Sequence, residues 1–275
     1  MTVDPDPSLD TTRHGFLTGC CATALLLIAS SLAGCGSLRS PAVSASPAPT
    51  GASIPGPAEP VSAPSEPPAV ALMAGYAFPA AIDPAARYLF YLHGKIIEDQ
   101  GLPAVSPEFG EYEYEAILGA LEYAGMVVIS ELRPRDAVAT TYAGRIKDQV
   151  SRLKEAGGPS GHITVLGASK GAYIAALASF LIKDRLLNFV LLGTCYPGMI
   201  SEWKSSRMQL YGNVLAIYDG AEDEYSGSCE ELFQLSEGKG LGRHEQLVLH
   251  VGTGHGILYK PLDEWILPAL EWASQ

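Results

Sequence analysis

The chain has 275 residues, of which 47% are hydrophobic and 17% charged, a globular composition able to bury a sizeable core. Its net charge is −12 and no block of Lys or Arg stands out, which argues against a nucleic-acid partner.

In chain order, the first feature is an export-type leader. Arg13 precedes an apolar stretch, residues 16–33, that ends in Leu32-Ala33-Gly34-Cys35. A cationic start, a short apolar run and small residues before a boundary describe a secretory signal. Its most apolar part, residues 20–29, is too short to span a bilayer comfortably. The ending is similar to a bacterial lipobox. That resemblance implies lipidation at Cys35, a membrane held through that anchor, and a periplasm-facing place in a bacterial cell envelope. An ordinary cleaved signal or membrane anchor, with Cys35 incidental, is the alternative, and the acidic leader at residues 1–10 departs from the lipobox pattern. Residues 36–70 are mostly Pro, Ala, Ser and Gly, with too little apolar surface to offset ordering entropy. They read as a disordered, semi-stiff tether. The expected organisation is therefore a signal over 1–35, a tether over 36–70 and a folded domain over 71–275.

The folded part alternates two patterns. Short β-branched or aromatic runs at 87–92, 125–131, 162–167, 188–193, 213–218 and 245–251 predict strands. Helix-like stretches at 111–123, 142–156, 170–183, 229–235 and 262–273 lie between or after them. Near-continuous apolar strands alternating with helices predict an α/β fold, a mostly parallel sheet covered on both faces. Ligands of such sheets bind at the carboxyl ends of the strands. The residues there include His93-Gly94-Lys95, Arg133, Ser169, Thr194-Cys195-Tyr196, Asp219 and His255.

The pentad Gly167-Ala168-Ser169-Lys170-Gly171 follows a β-branched run and opens a small-residue helical run. Serine on such a turn holds its hydroxyl above the sheet, and the flanking glycines allow the tight chain path. A serine nucleophile needs an adjacent base, and the base needs an acid to hold its tautomer. His255, in a Gly-rich loop, is the candidate base ahead of His250, which sits in a strand run. Asp223 is the favoured acid, with Asp219 as the alternative and Glu222 as a loop charge.

Tyr91-Leu92-His93-Gly94, the pentad, Gly220-Ala221-Glu222-Asp223 and Gly254-His255-Gly256 come in the order and context of the α/β-hydrolase superfamily, which the chain resembles from about residue 88 onward. The resemblance implies a Ser169–Asp223–His255 triad and an oxyanion hole from the backbone N–H groups of Lys95 and Lys170. It also implies acyl-ester hydrolysis of a small-molecule substrate, as by a carboxylesterase. A peptidase or thioesterase, or a non-catalytic envelope protein using the fold for binding, are the alternatives. Relatives often carry a large lid after the fourth strand run; here only residues 195–213 are free for it, which predicts a minimal lid. Tyr196, with Trp203 and Met208, is a candidate pocket wall, and His93, Arg133 and Tyr196 are candidate substrate contacts. Lys95, Lys170, Arg133 and Arg135 form a basic set that suits an anionic substrate or balances nearby acids. Cys195 and Cys229 either form a disulfide or remain two buried thiols. No zinc-type, phosphate-loop or dinucleotide motif is present in the sequence, so no metal or cofactor is expected.

Overall fold

The computed structural model describes residues 76–221 and 224–275. The expected signal, the lipidation site Cys35, the tether and the favoured acid Asp223 lie outside the described residues.

The framework is a parallel sheet of six strands: β1 (Tyr88–Leu92), β4 (Val127–Ile129), β5 (Ile163–Ala168), β6 (Asn188–Leu192), β7 (Gly212–Asp219) and β8 (Leu241–Leu249). They lie in the order β4-β1-β5-β6-β7-β8. The chain builds outward from β1 to β4, then returns to β5 on the other side of β1. Strand order therefore reverses between β1 and β5, the topological switch point where open α/β sheets place ligands.

Every residue of β1, β5 and β6 is buried. Their side chains alternate between two cores, as the period of two requires. Tyr88, Phe90, Ile163 and Val165 face α3 (Ala139–Glu155), α4 (Lys170–Ile182), α5 (Pro197–Ser206) and α6 (Glu230–Ser236). Leu89, Tyr91, Leu166 and Val190 face α1 (Lys95–Gln100), α2 (Tyr114–Glu122) and α7 (Asp263–Ser274). This is the doubly covered α/β architecture that the continuous apolar runs predict. α4 carries Gly171, Ala172, Ala175, Ala176 and Ala178 among its buried residues, and small side chains let it lie close to the sheet. A two-stranded ribbon, β2 (Val105–Ser106) with β3 (Gly110–Glu111), stands apart from the main sheet.

Between β6 and β7 the one helix is α5, so the covering segment is as small as the sequence implies. Trp203, expected at a pocket wall, is fully buried in the core, and Met208 packs against that core. Among the described residues no helix is long and apolar enough to cross a membrane.

Candidate active site

Ser169 sits between the last residue of β5 and the first of α4, with φ 53 and ψ −118. A non-glycine residue rarely holds a positive φ, and such strain persists only where the surroundings enforce it. Here the enforcement is steric and local. A Cβ on Gly167 would lie 2.1 Å from the Gly171 carbonyl oxygen, and one on Gly171 would lie 1.8 Å from that of Leu92. The two glycines let strand, turn and helix close on one another, while the Ser169 N–H donates to the Leu192 carbonyl at 2.9 Å.

The outward hydroxyl meets an imidazole: Ser169 Oγ and His255 Nε2 are 2.9 Å apart. His255 lies in a 3-10 turn, Gly254–Tyr259, after β8, and is buried to 9% exposure. The exposed Tyr225 packs its ring 5.6 Å from the imidazole centroid. His250, the rival base, is exposed just past the end of β8.

The loop bearing His255 is anchored by Asp219. Its Oδ2 accepts N–H bonds from Thr253 at 2.8 Å and Gly254 at 3.0 Å, and its Oδ1 accepts one from Ala221 at 3.3 Å. Burial pushes this carboxyl up, but backbone N–H bonds from Thr253, Ala221, Gly254 and Gly252 outweigh it and hold it below the ordinary carboxylate value. Both carboxylate oxygens of the alternative acid are thus engaged by main-chain donors, an arrangement that fixes a loop.

Lys95 opens α1 and Lys170 opens α4. First-turn N–H groups have no acceptor within their own helix. Gly94 approaches the serine closely, since a Cβ built there would be 3.6 Å from Ser169 Cβ.

The basic residues are placed differently from the sequence expectation of substrate contacts. Arg133 is buried, with its guanidinium Nε donating to Glu98 Oε1 at 2.8 Å. Its Nη2 donates to the His93 carbonyl. His93 is fully buried as well, its Nε2 accepting the Arg133 N–H at 2.9 Å while its Nδ1 bonds the Gly94 carbonyl at 2.8 Å. Those two bonds assign the proton to Nδ1. Burial first, and the Arg133 cation second, lower the His93 pKa to about 3, so the ring is neutral. Both side chains support the loop from behind, which corrects their reading as substrate contacts. Lys95 pairs with Asp99 and Lys170 with Glu98; Arg135 donates to the Asp99 carbonyl.

Above Ser169 lies a cleft of about 580 Å³ whose walls include Ala139, Tyr173, Thr194, Tyr196 and Tyr225. Tyr196 is there as expected. Tyr173 and Tyr225 go unremarked in the sequence, although Tyr173 falls one helical turn after Ser169 and so shares its face. The Tyr173 hydroxyl donates to the Glu202 carboxylate at 2.9 Å, which joins α4 to α5 at the cleft. Cys195 and Cys229 form a disulfide with Cα atoms 5.1 Å apart, tying the loop after β6 to the start of α6. Among the described residues no group of three or more His, Cys, Asp or Glu could hold a metal ion.

The sequence matches no protein-family model and no curated protein. Solved structures with some likeness include Arabidopsis thaliana SOBER1, at 10% identity and TM-score 0.44 over 69% of this chain and 98% of that one. A hyperthermophilic esterase from Pyrobaculum calidifontis is 15% identical, with TM-score 0.45, over 69% of this chain and 75% of that one. A dienelactone hydrolase from Anabaena variabilis is 12% identical, with TM-score 0.46, over 70% of this chain and 87% of that one.

Proposed function

We propose that the chain is a serine hydrolase of the α/β-hydrolase type that cleaves carboxylic esters through an acyl-enzyme. The observation that carries this reading is the 2.9 Å approach of His255 Nε2 to the hydroxyl of a serine held at φ 53 on a strand-to-helix turn. A strained, outward serine beside an imidazole has little use in packing and an evident one in nucleophilic attack.

His255 takes the Ser169 proton as Oγ attacks the ester carbonyl. The tetrahedral oxyanion is met by the N–H groups of Lys95 and Lys170. The imidazolium then gives its proton to the departing alcohol, leaving Ser169 acylated. Water, deprotonated by the same imidazole, attacks the acyl carbonyl and releases the acid and Ser169. Asp223 is assigned the acid role, four residues beyond Asp219, which keeps the His255 loop in place.

The disulfide supports an oxidising compartment, and with it the export reading of residues 1–35, lipidation of Cys35 and an envelope location. Incorporation of a labelled fatty acid that disappears in Cys35→Ser is the expected result; equal incorporation in both would dismiss the anchor.

The test of the activity is labelling by a fluorophosphonate. The intact protein should label and Ser169→Ala should not. An unlabelled wild type, or a mutant that labels equally, sinks the assignment of the nucleophile.

A further inference from the structure

We propose that Glu98 is a positioning residue whose buried carboxylate fixes, through Arg133 and Lys170, the two main-chain segments that receive the oxyanion. This rests on the hydrolase reading above.

Glu98 lies one turn into α1, the helix that Lys95 opens. Its side chain is 1% exposed, and that of Arg133 is 0% exposed. Oε1 accepts from Arg133 Nε at 2.8 Å, and Oε2 accepts from Lys170 Nζ. The two cations hold further main-chain groups. Arg133 donates to the carbonyl of His93, two residues before Lys95, and Lys170 Nζ donates to the Ala137 carbonyl at 2.6 Å. One carboxylate therefore connects the loop after β1, the loop after β4 and the first residue of the elbow helix. Those segments include Lys95 and Lys170, the two residues whose N–H groups are assigned to the oxyanion in the proposed mechanism.

Stability is a poor account of this cluster. A buried ion triad gains little over apolar side chains of the same volume, because desolvation offsets the attraction. What it supplies is fixed geometry, and oxyanion donors work only when they are aligned before the charge appears.

The decisive comparison is steady-state ester hydrolysis by wild type, Glu98→Gln, Lys170→Met and Lys170→Arg, with inhibition by a boronic acid as the tetrahedral mimic. Glu98→Gln should lower kcat about 10–100-fold and change KM less than about 3-fold, with boronate affinity falling in parallel. Lys170→Met, which breaks one arm at a residue whose side chain is 22% exposed, should shift kcat the same way. Lys170→Arg should restore most of it. If Glu98→Gln does not fold, the Lys170 pair decides. A folded variant with lowered melting temperature but kcat and boronate affinity within about 2-fold of wild type would make the cluster merely structural and overturn the proposal. A wild type that neither labels at Ser169 nor hydrolyses esters overturns the hydrolase reading and this inference together. An active wild type with unchanged variants overturns this inference alone.

Discussion

The floor of the cleft and its rim are built on opposite terms. The floor is main chain in close contact, with Gly171 against Leu92 and a serine at positive φ, backed by the buried Arg133 and Glu98. The rim is made of side chains, with Tyr225 58% exposed and Tyr196 partly so, on segments joined by one covalent link. The floor leaves almost no room for a different residue, whereas the rim leaves a great deal. In the proposed hydrolase, reaction chemistry belongs to the part that cannot vary, and substrate choice to the part that can.

The sharpest way to break this contrast is within the floor itself. Gly171→Ala places a Cβ 1.8 Å from a backbone oxygen, and backbone cannot move aside cheaply. It should cost at least about 3 kcal/mol in urea unfolding. Gly94→Ala meets nothing nearer than 3.6 Å and Gly94 has φ −73, so it should stay within about 0.5 kcal/mol of wild type. Equal losses at the two positions would show that crowding is not what fixes the floor.

The rim's covalent link comes next. Cys195 and Cys229 are 34 residues apart in sequence, and replacing both with Ala should cost about 2–4 kcal/mol in thermal unfolding. Because Tyr196 neighbours Cys195, KM should rise as well. A double variant with wild-type stability and KM would mean that the rim is held by other contacts.

A floor group supplies the third test. His93 titrates at about 3 in the folded chain, below the usual unfolded value of about 6.5. Its contribution is complete above the unfolded value and declines as pH falls from about 6.5 toward about 3, by up to about 1.4 kcal/mol per pH unit, since only the unfolded chain takes up that proton. Urea unfolding between about pH 4 and pH 7 should show this slope in wild type and a flatter one in His93→Gln. Identical slopes would remove His93 from the account.

The smallest effect is expected at the rim. Tyr225→Ala should raise KM about 3-fold and leave kcat within about 2-fold, from lost aromatic contact with the substrate. A fall in kcat beyond about 10-fold would move Tyr225 to the floor, through its packing on His255.

The same division explains what the sequence makes legible. β1, β5 and β6 read as apolar runs because both of their faces are covered. The start of β8 does not, because Arg243, His244 and Glu245 are exposed on an edge strand. α1 and the β2–β3 ribbon are too short for a period to register. Ser169 could be singled out because the pentad is a steric requirement written in residue types, and His255 because it stands in a Gly-rich loop after the last strand run. Glu98 could not, since glutamate on a helix ordinarily faces water. Its partners lie 35 and 72 residues away, and only the fold brings them together. Arg133 is misread for the same reason: a cation after a strand looks like a ligand for substrate until its own buried partner is seen.

The torsion angle of Ser169 sets two demands against each other at a single codon. At φ 53 glycine is the least strained occupant, with about 1 kcal/mol or more to gain over any side chain. A library screened only for heat resistance should therefore enrich glycine at 169, while one screened for turnover should keep serine. Lineages of this protein can be sorted by what replaced that codon: retained serine marks selection on catalysis, and glycine marks a fold kept for some other purpose.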